Sequence, residues 1–393
     1  MVRDFLASSW SDEDRAANPP LEGVAALGGV SRTDRRATEL RVQAIERGYL
    51  YRHVPRRYGG AEEPPDVLRS AIVLEEFRRA AAPGELVGQG PSMLVPTLLE
   101  HGTEEQKQRF VRGTILGHVR WCQGYSEPGA GSDLASLTTR AVRDGDHWVV
   151  NGHKIWTSNA HDADWMFCLV RTEPDRPKHG GISYLLIDMR SVGVTVRPLR
   201  QMTGDADFDE VFFDEVRVPV ENLVGGRGQG WAVSRSTLRH ERALIGGSFL
   251  NRRIFEGVLM LARALPRRGA PAIADPGIRR RFAELEARVL AAEAHGWRLL
   301  TMEARGEESG VAGMIPKLYA TTTMYELTRL ALDVLADRAA LAPGDPDAPA
   351  DGRFVTAYMW SLGMLIAGGT ANVQRNVIAE RGLGLPRDAS AGR

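Results

Sequence analysis

The stretch that decides the fold of this chain, Gln123–Leu134, reads Gln-Gly-Tyr-Ser-Glu-Pro-Gly-Ala-Gly-Ser-Asp-Leu. Ser126 supplies a hydroxyl, Pro128 fixes a backbone angle, and the two later glycines let the main chain approach a ligand closely. The segment Gly129–Leu134 is similar to a dinucleotide-binding loop, but that fingerprint requires a glycine where this chain has Leu134. The loop therefore lacks one of the residues that a dinucleotide-binding turn needs.

The residues after this stretch predict strands, whereas a dinucleotide loop opens a helix. The β-rich segments 138–143 and 148–150 flank a turn at Asp144-Gly145. Two short strands joined in this way place the loop in a β-region, and they argue against a mostly parallel sheet.

Periodicity divides the chain into three zones and predicts an α+β protein. Residues 1–120 form an N-terminal all-α domain, in which Thr103 and Gln106 make a capping-box pattern. Residues 121–228 form a middle β-barrel or sandwich of short strands. Residues 229–393 form a C-terminal antiparallel four-helix bundle. Its long helical segments are expected near 231–263, 276–306, 312–341 and 353–382.

Composition excludes several classes of function. The 50 basic and 50 acidic residues cancel, so no net field would attract nucleic acid or an anionic membrane. Two cysteines, Cys122 and Cys168, cannot make a disulfide framework and suit a reducing compartment. The N-terminus lacks a signal core, no apolar run is expected to span a membrane, and no metal-ligand spacing occurs. We expect a cytoplasmic protein with no nucleic-acid, membrane or metal partner.

Two motifs and their order resemble the acyl-CoA dehydrogenase family of flavoproteins. The motifs are Tyr125–Asp133 and Asn151–Asn159, about thirty residues apart in one β-zone, with a helical bundle after them. Each motif alone has a plainer explanation, since a lone Gly-Ala-Gly is commonly a turn and a lone strand Trp is commonly core. Together they imply FAD as the cofactor.

The resemblance implies a role for each motif residue. Trp156 matches the wall of the flavin ring, and Ser126 and Ser158 match hydroxyls near its N5, where the family usually has Thr. Gly131 and Ser132 match positions beside the FAD pyrophosphate or the substrate's pantetheine. The full set of cofactor contacts implied is Gln123, Tyr125, Ser126, Gly131, Ser132, Trp156, Thr157, Ser158, Thr370, Ala371 and Asn372.

Desaturation of a thioester needs a carboxylate base for the Cα proton and donors for the developing enolate. The family places a Glu at one of two positions. This chain has Gly368 at the first and Glu241 at the second, as in isovaleryl-CoA and long-chain acyl-CoA dehydrogenases. The neighbours of Glu241 three and four positions along the helix carry no charge, which suits a base; an ion pair with an Arg from another helix is the alternative. His240 is expected to line the cleft or lie on the surface.

Gly368 and Gly369 interrupt a helical apolar run, and Thr370 is a suitable N-cap for a helix from about 371. Main-chain N–H groups at such a helix start can bind a ligand, although a plain helix–helix turn explains the same residues. By resemblance, the N–H near Gly368 helps to hold the thioester oxygen. The substrate contacts predicted are Ser132, Arg239, Arg242, Gly368 and Gly369.

The resemblance implies an FAD-dependent acyl-CoA dehydrogenase, in which Glu241 takes the Cα proton and the flavin takes the Cβ hydride. The partners implied are an acyl-CoA or acyl-carrier-protein thioester and an electron-transferring flavoprotein, or oxygen for an oxidase. Three alternatives stay open: a flavin oxidase or monooxygenase of the same fold, a biosynthetic enzyme for carrier-bound acyl groups, and a non-catalytic subunit of a heterotetramer. The family's Gln-x-x-Gly-Gly element is absent before the last helix, which leaves a homo-oligomer or a heterotetramer open.

Overall fold

The computed structural model describes residues 1–17, 35–245 and 249–386, and the side chains of 242–249 lie outside the description. The chain separates into two compact units, Met1–Glu241 and Arg242–Arg393. The first unit contains an N-terminal group of helices and a β-sheet, and the second is helical. The element order is therefore the predicted one: helices, a middle β-region, and helices again.

Six helices precede the sheet. They are α1 (Val2–Ser9), α2 (Asp12–Ala17), α3 (Arg35–Glu46), α4 (Val67–Arg79), α5 (Val95–His101) and α6 (Glu104–Ile115). The capping box predicted at the start of α6 is present, since Thr103 Oγ1 accepts from the N–H of Gln106 and the Gln106 side chain accepts from the N–H of Thr103. On α4 the apolar repeat is only partly buried: Val73 and Phe77 enter the core, but Ile72 is 59% exposed.

Eight strands form one mostly antiparallel sheet. They are β1 (Trp121–Gly124), β2 (Arg140–Asp144), β3 (His147–Ser158), β4 (Trp165–Arg171), β5 (Ile182–Asp188), β6 (Val194–Leu199), β7 (Phe208–Pro219) and β8 (Leu223–Val224). The order is β6-β7-β3-β2-β4-β5-β8, and β1 pairs with β4 in parallel. The β2–β3 hairpin and the antiparallel majority confirm the predictions made from the turn after Gln123–Leu134.

The two central strands are buried on both faces. One face of β4 and β5 packs against side chains from α5, α6 and the helix that follows the sheet, including Leu98, Phe110 and Val233. The opposite face packs against β2, β3 and β7, with Trp148 and Phe213 among the contacts. The sheet therefore closes on its own core, as expected for a barrel or sandwich, and it presents its other face to helices.

The helices after the sheet are α7 (Gly230–Ile245), α8 (Phe249–Ala264), α9 (Pro276–Ala304), α10 (Ile315–Leu335), α11 (Arg353–Ile366) and α12 (Ala371–Val377). Helices α8 to α11 share one core that includes Phe255, Phe282, Leu327 and Phe354. By length and hydropathy, Pro349–Gly382 passes as a membrane span, so the expectation that no stretch approaches one is wrong. In the structure it is two helices, because α11 ends at Ile366 and a glycine turn precedes α12.

Candidate active site

The two motifs that carry the family resemblance lie side by side in the first unit. The main-chain carbonyl of Ser126 accepts a hydrogen bond of 3.0 Å from the N–H of Ile155, so the segment after β1 pairs with β3. The side chains of Ser126 and Ser158 are both half-buried. The structure therefore brings the loop of Ser126 to the part of β3 that carries Trp156.

A buried ion pair joins the motifs below this surface. Lys154 Nζ lies 2.8 Å from the carboxylate of Glu127, with side-chain exposures of 0% and 4%, and it also donates to the carbonyl of Tyr125 at 3.1 Å. The Glu127 carboxylate accepts three more hydrogen bonds, from the N–H and hydroxyl of Thr138 and the N–H of Thr139, at 2.7 to 2.9 Å. Burial acts to raise the pKa of Glu127, but Lys154 and these donors outweigh it and hold that pKa at about 2. The sequence analysis did not assign a role to this pair.

Trp156 is turned outward by an irregularity in β3. The register between β3 and β7 shifts between Lys154 and Thr157, as in a β-bulge, and Trp156 has a φ of 59°. Its indole is 59% exposed and meets the ring of Phe208 edge-on at 6.1 Å. A non-glycine residue with positive φ carries strain, and bulges are common beside active sites, where they redirect a side chain. The bulge thus presents a flat apolar ring to a ligand.

Two of the predicted cofactor contacts are buried in the sheet. Thr157 is fully buried, and Tyr125 is 5% exposed with its ring packed edge-on against Phe167 and Tyr184. Burial raises the pKa of the Tyr125 phenol well above its usual value. These two residues can meet a cofactor only through their main chain. The side chains of Gln123, Ser126, Trp156 and Ser158 remain accessible.

The loop after Ser126 leaves space for a ligand. Gly129 and Gly131 have no heavy atom within 4 Å of the position that a Cβ would take, so nothing in the protein itself demands glycine there. Ser132 is exposed, and next to it Asp133 pairs with Lys178 on the surface. An open glycine loop, two accessible hydroxyls and an exposed indole fit the needs of a flavin ring and its pyrophosphate tail.

Glu241 lies on α7 with its side chain half-buried. The amide of Gln123, on β1, donates to Glu241 Oε2 over 3.4 Å. One turn earlier, the buried hydroxyl of Thr237 bonds to Thr97 on α5 at 3.0 Å and to the Tyr184 hydroxyl on β5 at 3.4 Å. This face of α7 is therefore held against both α5 and the sheet.

The neighbours of Glu241 on α7 are held by Glu100, at the end of α5. Glu100 accepts from Ser236 Oγ at 2.5 Å, from Arg239 at 2.7 Å and from the imidazole of His240 at 3.4 Å. Burial lowers the pKa of His240, and the contact with Glu100 partly offsets this. Arg239, a predicted substrate contact, thus pairs with Glu100, while the side chain of Arg242 lies outside the described residues.

The remaining predicted residues lie in the second unit, at the turn between α11 and α12. Gly368 and Gly369 have φ values of 61° and 93°, and Thr370 Oγ1 accepts from the N–H of Val373 at 3.2 Å, which confirms the predicted helix cap. Ala371 and Asn372 form the first turn of α12.

Two buried side chains hold this glycine turn from within the second unit. Gln374 donates to the carbonyl of Gly368 at 3.1 Å, and Lys317 donates to that of Gly369 at 2.6 Å. Because peptide units are trans, the N–H groups of Gly369 and Thr370 point away from these donors. The role of Lys317 was not predicted, because α10 and the turn are distant in sequence.

Comparison with known proteins identifies the class. Three family models match successive parts of the chain: "Acyl-CoA dehydrogenase, N-terminal domain" at 27–118, "middle domain" at 122–216 and "C-terminal domain" at 228–383. The chain belongs to the acyl-CoA dehydrogenase family. It is an oxidoreductase that dehydrogenates an acyl-CoA thioester, and this family is generally FAD-dependent. No group of three His, Cys, Asp or Glu side chains able to hold a metal occurs among the described residues.

Its relatives include enzymes from actinobacteria. The acyl-CoA dehydrogenase IpdE1 of Mycobacterium tuberculosis is 38% identical over 398 residues, which cover 99% of this chain and 97% of the relative. The structure titled "Tcur3481-Tcur3483 steroid ACAD" is 30% identical with a TM-score of 0.78, covering 98% of this chain and 96% of that one. The ChsE4-ChsE5 complex from M. tuberculosis is 31% identical with a TM-score of 0.77, covering the same shares.

Proposed function

We propose that this chain binds FAD and removes hydrogen from Cα and Cβ of a bulky acyl-CoA thioester, with Glu241 as the base for the Cα proton. The observation that carries the proposal is the position of Glu241. Its half-buried carboxylate meets Gln123 on the strand that leads directly to Ser126. Gly368, at the family's other base position, offers no carboxylate.

The residues of the first unit would divide the work as follows. Trp156 would support the face of the flavin, and the hydroxyls of Ser126 and Ser158 would donate to its polar edge. The open loop at Gly131 and Ser132 would accommodate the pyrophosphate or pantetheine. Glu241 would accept the Cα proton, which requires its carboxylate to be ionised at working pH. Bound FAD would supply the acceptor for the Cβ hydride.

The main-chain N–H groups of the glycine turn would serve the thioester oxygen. This assignment rests on the family resemblance at Gly368 and on the turn itself, whose carbonyls are held by Lys317 and Gln374. Preorganised N–H donors of this kind stabilise a developing enolate charge. Thr370, Ala371 and Asn372 would contact FAD of the same or a neighbouring subunit.

The acyl group that we propose is large and ring-bearing. Glycine at 368 leaves space that a glutamate would fill, and a structure similar to this chain is titled a steroid acyl-CoA dehydrogenase. Similar structures titled as complexes of two proteins favour a heterotetramer, in which this chain is the subunit that carries the base. An electron-transferring flavoprotein would reoxidise the enzyme, and the compartment would be the cytoplasm.

The test is flavin reduction under anaerobic conditions, followed by the loss of flavin absorbance on addition of straight-chain, branched and steroid-side-chain acyl-CoA substrates. We expect Glu241→Gln to bind FAD and reduce it at least about 10³-fold more slowly, because the general base is lost and a neutral amide takes its place. The matched control is Glu284→Gln on α9, where the side chain is 65% exposed. Equal rates in the Glu241 variant and in the control would refute the assignment of the base.

A further inference from the structure

Gln123 was expected to contact FAD, but the structure directs its amide to a carboxylate. On β1, Cys122 and Gly124 are buried and Gln123 is half-buried, so its side chain lies on the opposite face from Cys122. From there its Nε2 reaches Oε2 of Glu241, a residue 118 positions later in the chain. The two side chains come together because α7 packs on the sheet.

This contact is not an accident of two mobile side chains, because α7 is held at the same height. Thr237 lies four residues before Glu241 and therefore on the same face of the helix. Its fully buried hydroxyl is bonded to α5 through Thr97 and to β5 through Tyr184. A helix fixed at Thr237 carries Glu241 to the level of β1.

We propose that Gln123 is a positioning residue for the catalytic base: its amide holds one carboxylate oxygen of Glu241, so that the other oxygen is left for the Cα proton. The inference rests on the proposed function of Glu241. A donor to a carboxylate favours its ionised form and therefore lowers its pKa. The length of 3.4 Å is typical of an active-site contact that shortens when substrate binds.

The other ionisable groups near Glu241 do not give the same pH dependence. Tyr125 interacts with Glu241 electrostatically, but its buried phenol stays protonated across the working pH range. Arg239 and His240 are bonded to Glu100, and none of the three contacts Gln123 among the printed hydrogen bonds of the described residues. The phenol of Tyr184 on β5 is buried, and its pKa is likewise raised by burial. A change at Gln123 should therefore act on the ionisation of Glu241.

The experiment measures the rate of anaerobic flavin reduction by a saturating acyl-CoA between pH 5 and 9 in the FAD-loaded enzyme. In Gln123→Leu the acid limb should move up by about one pH unit, the size expected for losing one hydrogen bond to a charged group, so that the rate on the acidic side falls about tenfold. Gln123→Glu keeps the size of the side chain but brings a second carboxylate, so it should move the limb in the same direction by at least as much.

The control is Gln201→Leu. Its amide makes an equally long contact, 3.4 Å, with the carboxylate of Asp207, and its loss should leave the acid limb in place. A second readout does not need turnover: the infrared band of the protonated Glu241 carboxyl, assigned by its absence in Glu241→Gln, should titrate at higher pH in Gln123→Leu than in wild type. FAD affinity should stay within about twofold in all variants, since a positioning residue for the base does not bind the cofactor.

Each other outcome overturns the inference. If Gln123→Leu loses FAD affinity while its acid limb stays in place, Gln123 is a cofactor ligand. If neither the limb nor the infrared band moves in either Gln123 variant while Glu241→Gln is inactive, the base stands and Gln123 does not position it. If Glu241→Gln is fully active, the proposed function itself fails, and the role of Gln123 fails with it.

Discussion

Replacing Lys154 by Met tests whether the buried ion pair beneath the two motifs stabilises this region. The substitution keeps the length and the apolar stem of the side chain but removes the cation that lies 2.8 Å from Glu127. Three donors to the carboxylate remain, on Thr138 and Thr139, and they replace part of the lost interaction. The carboxylate would otherwise be buried with no opposite charge.

The structure sets the magnitude of the effect. The pKa of Glu127 is lowered from 4.5 to about 2, which corresponds to about 3 kcal/mol in favour of the ionised form. Removing one partner of a buried ion pair typically costs about 3–5 kcal/mol. For a unit of this size that loss lowers the melting temperature by roughly 6–20 °C. We expect the thermal transition of Lys154→Met, followed by circular dichroism at pH 7, to fall within that interval.

Lys178→Met is the matched control, because it removes the same side chain from an exposed pair with Asp133, where the exposures are 49% and 64%. Exposed pairs contribute about 0–1 kcal/mol, so this variant should melt close to wild type. If Lys154→Met loses no more stability than Lys178→Met, the argument from burial is refuted.

The same pair predicts how stability depends on pH. The folded-state pKa of Glu127 is below its unfolded value, so its contribution is fully present above about pH 4.5 and is lost as the pH falls towards 2. Because Lys154 causes much of this shift, the difference in melting temperature between wild type and Lys154→Met should shrink across that window. A difference that stays constant from pH 5 to pH 2.5 would contradict the linkage.

Three further predictions concern single positions. Gly369→Ala should destabilise the second unit by about 1–3 kcal/mol in urea denaturation, because φ is 93° and a Cβ would lie 2.7 Å from the amide of Gln374, whereas Gly363→Ala, in α11 with open space around it, should stabilise by about 0.5–1 kcal/mol. Thr103→Ala should cost about 1 kcal/mol, measured in the same way, through loss of the capping box. Trp156→Ala should weaken FAD binding, measured by equilibrium dialysis, with little change in melting temperature of the FAD-free protein, because the indole is 59% exposed; a large fall in that temperature would identify Trp156 as core.

The sequence predicted the architecture well because the signals that fix it are local. The hairpin after Gln123–Leu134, the cap at Thr370 and the break at Gly368-Gly369 each depend on a few adjacent residues, and the structure confirms all three. The error at Ile72 has the same origin. An apolar repeat shows that a helix has a buried face, but it does not show how wide that face is.

What the sequence did not predict depends on contacts between distant segments. The ion pair of Glu127 with Lys154 spans 27 residues, and it forms only because β3 folds back beside the segment after β1. The outward turn of Trp156 depends on a bulge between β3 and β7, a feature of strand register that has no local pattern here. The contact of Gln123 with Glu241 requires α7 to pack on the sheet.

These contacts separate two kinds of residue within the motifs that identify the family. Glu127 and Lys154 face inward and fix the main chain, while Ser126 and Trp156, each next to one of them or two residues away, face outward and are free to meet a ligand. Chemistry at the surface then depends on electrostatics beneath it, because a shift of the buried pair would move the hydroxyl and the indole together. We therefore expect changes at Glu127 or Lys154 to alter FAD affinity and the flavin spectrum although neither side chain reaches the surface, whereas Lys178→Met should alter neither.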